Sequence, residues 1–116
     1  MKIFNFKRLS SWPTNARYVG RNPTIGDPFF GNPISSKVSN LAEVMVGNVA
    51  DSLMGFRHYA ERRIEEDPAY RSAVMGLLGC DLVCHCAPAA CHAEILRELC
   101  LKEHLRDRLE IGRAHV

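Results

Sequence analysis

The sequence lacks an apolar run long enough to cross a membrane, and it lacks a strong excess of either charge. Its net charge is only +2, from 15 basic and 13 acidic side chains, which is far from the basic excess of a typical nucleic-acid-binding domain. The N-terminal residues also lack the apolar stretch of a secretory signal, because Lys7 and Arg8 follow too closely. These absences predict a cytoplasmic protein with no membrane segment.

The length and composition predict one globular domain. The chain has 116 residues, of which 47% are apolar and 24% charged. A domain of this size buries a sufficient core without the help of disulfides or metal. Four of the five cysteines are crowded between Cys80 and Cys91. This spacing is unlike a secreted disulfide framework and favours reduced thiols or metal ligands.

The C-terminal residues are interpreted separately from the domain. The string EIGRAHV, residues 110–116, is what a common short-read sequencing adapter encodes in one reading frame. We therefore interpret residues 1–109 as the domain and residues 110–116 as a non-native tail, which leaves open that the natural chain continues past Leu109.

Hydrophobic periodicity predicts an α/β fold. Strands are predicted at Ile3–Phe6, Ala16–Val19 and Asp81–Cys86, and helices at Val49–Glu65, from Pro68 to Leu78, and from Cys91 onward. The expected architecture is a small, mostly parallel sheet with flanking helices, Rossmann-like, with a pocket at the carboxyl ends of its strands. The pocket walls would be the proline- and glycine-rich loop 20–33 and the turn 84–92.

The strongest chemical signal is a cluster of Cys and His side chains at the predicted strand–turn–helix corner. Cys84, Cys86, Cys91 and His92 lie within nine residues. Three thiolates and one imidazole form a recognised zinc ligand set. The adjacency of Cys91 and His92 counts against a shared ion, because neighbouring side chains on a helix diverge by about 100°.

The same corner also fits a reactive thiol. Cys91 would lie at a helix N-terminus, where backbone N–H groups and the helix dipole favour a thiolate. Cys91 and His92 would then be the catalytic pair. Arg21 would clamp a phosphate or carboxylate. The further ligand-binding residues predicted at this pocket are Tyr18, Gly20, Asn32 and Pro88.

Three separated segments resemble the domain-of-unknown-function family 4326 of bacteria and phages. They are Tyr18–Arg21, Gly31–Pro33 and Leu82–His92, which follow the YIGR, GNP and C-x-C-A-P-x-x-C-H pattern of that family. The resemblance spans residues 16 to 100. The family has no established activity, so the resemblance implies a shared motif rather than a reaction.

The chain departs from the family pattern at three places. His85 stands where the family usually has an aromatic residue, which argues against His85 as an essential ligand. Ala93 replaces a usual glycine. Phe29 and Phe30 precede the GNP segment instead of following it, so the loop is expected to have a different shape.

Two functional hypotheses remain open from the sequence. The first is a site for a small anionic ligand such as a nucleotide, bound or processed at Cys91 and His92. The alternative is a non-catalytic module, in which zinc on the Cys/His cluster stabilises a surface for a protein or nucleic-acid partner, as in a phage-encoded inhibitor. A third interpretation is purely structural, because cysteine is among the most frequently buried residues.

Overall fold

The computed structural model describes residues 1–22, 28–35, 44–45, 48–84 and 91–114. The strands in these ranges are β1 (Ile3–Asn5), β2 (Ala16–Tyr18), β3 (Ile34–Ser35), β4 (Val44–Met45) and β5 (Asp81–Cys84), and the α-helices are α1 (Val49–Glu66), α2 (Pro68–Met75) and α3 (His92–Ala114). Phe6–Arg8 and Pro28–Phe30 form short 3₁₀ helices. No helix within these described ranges is both long and apolar enough to span a bilayer.

The principal sheet has the order β1-β5-β2, and both pairings are parallel. β5 is therefore the central strand, with β1 and β2 at its two sides. β3 and β4 form a separate parallel pair. The predicted α/β class with a small parallel sheet is confirmed. The Rossmann-like assignment stays a prediction, because three strands do not display the strand-order reversal that defines that fold.

Helix α1 forms where the apolar periodicity predicts it. Asn48 caps its N-terminus by accepting a hydrogen bond from the Asp51 backbone at 2.8 Å. Phe56, Ala60 and Ile64 recur every four residues and are buried, so they form one face of the helix. The two larger of these side chains each contribute roughly 1.5–3 kcal/mol by leaving water.

Helix α2 begins as predicted and ends earlier than predicted. The carboxylate of Asp67 accepts hydrogen bonds from the backbones of Ala69 and Tyr70. The helix stops at Met75 instead of continuing to Leu78, and Gly76 is its C-cap. Glycine disfavours helix continuation by about 1 kcal/mol relative to alanine. Gly79 has a φ of +79° in the following turn, a conformation that side-chain-bearing residues rarely adopt.

Helix α3 is the longest element and covers the sheet. Ile95, Leu96, Leu99 and Cys100 are buried as its periodicity predicts. Leu105, predicted on the same face, is instead 57% exposed, and Glu103 takes the buried position. The guanidinium of Arg71 holds Glu103 at 2.8 Å, which ties α2 to α3. The helix continues to Ala114, and the assignment of residues 110–116 as a tail stays a prediction.

An aromatic cluster lies beside the sheet, between the second 3₁₀ helix and α2. Phe29, Phe30 and Tyr59 all contact the ring of Tyr70, with centroids 5.6, 6.3 and 6.3 Å away. The guanidinium of Arg63 lies 4.5 Å from the centre of the Tyr70 ring. The Tyr70 hydroxyl is buried and has no hydrogen-bond partner in the described part of the chain, and burial raises its pKa. This hydroxyl is therefore a net cost to folding.

Replacing Tyr70 with phenylalanine is expected to raise the free energy of unfolding by about 1 kcal/mol, because it removes the unpaired hydroxyl and keeps the ring contacts. Tyr59→Phe is the matched control, since the Tyr59 hydroxyl accepts a hydrogen bond from Arg63 at 2.7 Å and its loss is expected to destabilise. Urea denaturation of both variants measures the difference. A fall in the free energy of unfolding for Tyr70→Phe would contradict the conclusion that the Tyr70 hydroxyl is a net cost to folding.

Candidate functional site

The candidate site is the corner where α3 begins beside the carboxyl ends of β2 and β5. Parallel strands present their carboxyl ends at one edge of a sheet, which is where α/β proteins build ligand sites. Val19 and Gly20 leave β2 at this edge, and Cys84 ends β5 there. Cys91 directly precedes α3. The location of this corner agrees with the sequence prediction.

Cys91 occupies the N-cap position of α3. Its sulfur accepts a hydrogen bond from the backbone N–H of Ala93 at 3.5 Å, and its carbonyl accepts from the N–H of Glu94 at 3.1 Å. Cys91 is only 2% exposed and lies within the hydrophobic core cluster.

His92 connects α3 to the end of β2. Its Nε2 is hydrogen-bonded to the carbonyl of Val19, and a further backbone hydrogen bond joins the ring to Phe30. The ring packs edge-to-face against Phe56, with the centroids 5.1 Å apart. These contacts give His92 a clear structural role, which is to hold two loop backbones against α1 and α3.

The pKa of His92 is lowered to about 4, mainly by burial and also by the positive charge of Arg21, while the backbone hydrogen bonds to Val19 and Phe30 act in the opposite direction. The ring is therefore neutral at pH 7. A neutral ring that donates from Nε2 carries a lone pair on Nδ1. That Nδ1 lies 3.7 Å from the sulfur of Cys91. The two predicted catalytic residues thus form a thiol–imidazole pair.

Tyr18 and Gly20 are linked by close contact. The Tyr18 ring folds over Gly20, so a methyl group at position 20 would lie 2.2 Å from the Tyr18 hydroxyl. That hydroxyl accepts a hydrogen bond from the backbone of Asn22 at 3.0 Å. Burial raises the pKa of Tyr18, and the Asn22 bond and the charge of Arg21 partly oppose this effect. Glycine is needed here for space.

Arg21 follows this contact and brings a positive charge to the corner. Its charge acts on both Tyr18 and His92. One terminal nitrogen, Nη1, is buried and has no hydrogen-bond partner among the residues that the structure describes. A buried guanidinium nitrogen without an acceptor is costly, typically by more than about 1–3 kcal/mol.

A sequence model of the family described as Domain of unknown function (DUF4326) matches residues 4–102. The match includes every segment of the corner described above. The chain belongs to this family. No curated protein and no solved structure matches the chain. The bacterial or phage origin that the sequence resemblance implies stays a prediction.

The corner of this DUF4326 chain brings together most of the predicted ligand-binding residues. Tyr18, Gly20 and Arg21 lie at the β2 terminus as expected. Asn32 is buried nearby and donates from its side-chain amide to the Ser52 hydroxyl at 3.0 Å, which fixes its loop to α1. Pro88 lies outside the described residues. A ligand-binding role for Asn32 stays a prediction.

The zinc prediction for this DUF4326 chain also remains untested. Cys86 lies outside the described residues. Among the residues that are described, no group of three or more His, Cys, Asp or Glu side chains is arranged to hold a metal. The Nε2 of His92 is hydrogen-bonded to Val19, and its Nδ1 lies 3.7 Å from the sulfur of Cys91, another predicted ligand. Cys84 is fully buried on β5.

Sequence reasoning missed the groups that position His92. The carbonyl of Val19 carries no side-chain signal, and its role appears only when β2 lies beside α3. The apolar periodicity of α1 predicted that Phe56 lies on its core face. That periodicity is the one sequence signal for the aromatic ring that packs on His92. Ser52 falls four residues earlier on the same face and is buried with Asn32.

Proposed function

We propose that the DUF4326 corner binds a small ligand that carries a phosphate or carboxylate group. The observation that carries this proposal is the buried Nη1 of Arg21, which has no acceptor in the described part of the chain. An anion would supply that acceptor, and charge-assisted hydrogen bonds of this kind are about twice as strong as neutral ones. The N-terminus of the 23-residue α3 adds favourable positive potential.

His92 supplies no positive charge to such an anion at neutral pH, because its pKa is lowered to about 4. Arg21 is then the group that selects for negative charge. His92 is a positioning residue, because it fixes Val19 and Phe30 on either side of Arg21 along the chain.

The low pKa of His92 favours ligand binding over catalysis as the function of the corner. A general base works best when its pKa lies near the working pH, and a value of about 4 makes His92 a weak base toward the thiol of Cys91. The burial of Cys91 also slows any external electrophile. The catalytic role of this pair stays a prediction, and the binding role does not depend on it.

Titration with inorganic phosphate tests the binding role. Backbone amide chemical shifts of Ala93 and Glu94 are expected to move with phosphate concentration. Arg21→Met is expected to weaken binding at least tenfold, since a hydrogen bond to a charged group contributes about 1.5–3 kcal/mol. The same variant is expected to keep or gain folding stability, because it removes a buried nitrogen that has no partner.

Arg62→Met is the matched control, because Arg62 is exposed on α1 and lies outside the corner. Its phosphate affinity is expected to equal that of the unmodified chain. Unchanged phosphate affinity in Arg21→Met would overturn the proposal.

Elemental analysis tests the alternative function. One zinc per chain, with unfolding on chelation, would favour the zinc-stabilised module for a protein or nucleic-acid partner instead.

A further inference from the structure

A groove beside the corner has the size and lining of a small-molecule site. Its volume is about 420 Å³, within the usual range of roughly 300–1,000 Å³ for ligand pockets. Tyr18, Phe29 and Phe30 provide aromatic walls, and Ala69 and Ala73 of α2 leave the space open between them. Phe29 is 36% exposed, so part of its ring is available to a ligand.

The groove runs along the outer edge of β2. Three consecutive residues, Ala16 to Tyr18, all contact it, although side chains alternate between the two faces of a strand. A cavity reached by all three must therefore meet the strand at its edge. Asn15 and Val19 direct their backbone groups toward β5, so the carbonyl of Ala16 faces the opposite side, toward the groove.

The groove shares two walls with the anion site. Tyr18 lines the groove, and its hydroxyl lies within the influence of the Arg21 charge. Phe30 also lines the groove, and its backbone is hydrogen-bonded to His92. Tyr18 and Phe30 therefore border the groove and also interact with Arg21 or His92 of the anion site.

From this juxtaposition we infer that the ligand is a nucleotide, with its phosphate on Arg21 and its base in the groove. This inference rests on the anion-binding function proposed above. Aromatic walls stack on the flat face of a nucleobase, and the strand edge offers a hydrogen-bond acceptor to the donors on the rim of the base. Arg17, which is positively charged, also lines the groove and favours a ligand of negative charge.

Isothermal titration with the four ribonucleoside 5′-monophosphates and with ribose 5-phosphate tests the inference. At least one nucleotide is expected to bind tenfold or more tightly than ribose 5-phosphate, since stacking of a base on aromatic side chains is a strong contribution. Ala73→Leu fills the groove and is expected to abolish this gain while leaving ribose 5-phosphate affinity unchanged. The control is Ser72→Leu, at the adjacent exposed position of α2, which is expected to keep the tighter binding of the nucleotide.

The outcomes separate the two proposals. Ribose 5-phosphate that binds through Arg21, with no nucleotide binding more tightly, would overturn the nucleotide inference and keep the anion site. A nucleotide gain that persists in Ala73→Leu would also overturn the inference, because the base would lie elsewhere. If neither ribose 5-phosphate nor any of the four nucleotides binds to the unmodified chain, the proposed function and the nucleotide inference are both overturned.

Discussion

Acidification from pH 6.5 to pH 4 is expected to lower the free energy of unfolding by roughly 3 kcal/mol through His92 alone, given its folded-state pKa of about 4. The unfolded chain binds a proton at His92 near pH 6.5, whereas the folded chain excludes it until about pH 4. Between these values the unfolded state holds more protons, so stability falls as the pH falls. Urea denaturation at half-unit pH steps measures the slope.

His92→Gln is the control for this prediction. The glutamine amide keeps a donor near the Val19 carbonyl and does not titrate, so the variant is expected to be less stable at pH 7 and to lose the extra slope between pH 6.5 and pH 4. The comparison between the two chains cancels the contributions of the carboxylates. Parallel pH profiles for both chains would show that His92 is accessible to protons in the folded state.

The substitution Gly20→Ala is also expected to lower the free energy of unfolding by a large amount. A methyl group at this position would lie 2.2 Å from the hydroxyl and 2.5 Å from the adjoining ring carbon of Tyr18. Tyr18 is only 8% exposed, so its ring has little room to move. Overpacking of this kind costs about 1–3 kcal/mol, and the lost hydrogen bond to Asn22 adds about 1 kcal/mol. We expect a destabilisation of roughly 3 kcal/mol in total.

A double-mutant cycle with Tyr18→Ala identifies the cause. When the ring is removed, Gly20→Ala is expected to cost less than about 1 kcal/mol, because the new methyl group then meets open space. Chemical denaturation of the four chains gives the coupling. Equal costs of Gly20→Ala with and without the Tyr18 ring would place the strain in the backbone instead of the side-chain contact.

Much of the fold could be predicted because the spacing of apolar residues along the sequence indicates which side chains are buried. Phe56, Ala60 and Ile64 on α1 repeat at the helical period and are buried. The exceptions have local causes. Helix α2 ends at Met75, three residues before Leu78, because Gly76 caps it. Glu103 is buried because Arg71 neutralises it, whereas Leu105 is exposed. A hydrophobic pattern does not encode a buried ion pair.

The site was predictable in position and not in mechanism. A strand, a proline turn and a helix start in sequence place Cys91 and His92 at a corner. The low pKa of His92 depends on its burial, to which Phe56 of α1 contributes by packing on the ring, and on the positive charge of Arg21. The groove likewise combines Ala16, Phe29 and Ala73, residues that are far apart in the sequence and that carry no shared motif.

The central position of β5 has a consequence for biosynthesis. β1 and β2 are complete within the first 18 residues, yet both pair with a strand that begins only at Asp81. On the ribosome these two N-terminal strands emerge long before their common partner. Pairings of such long sequence separation form slowly, so their unpaired edges are exposed to aggregation until translation has passed Cys84.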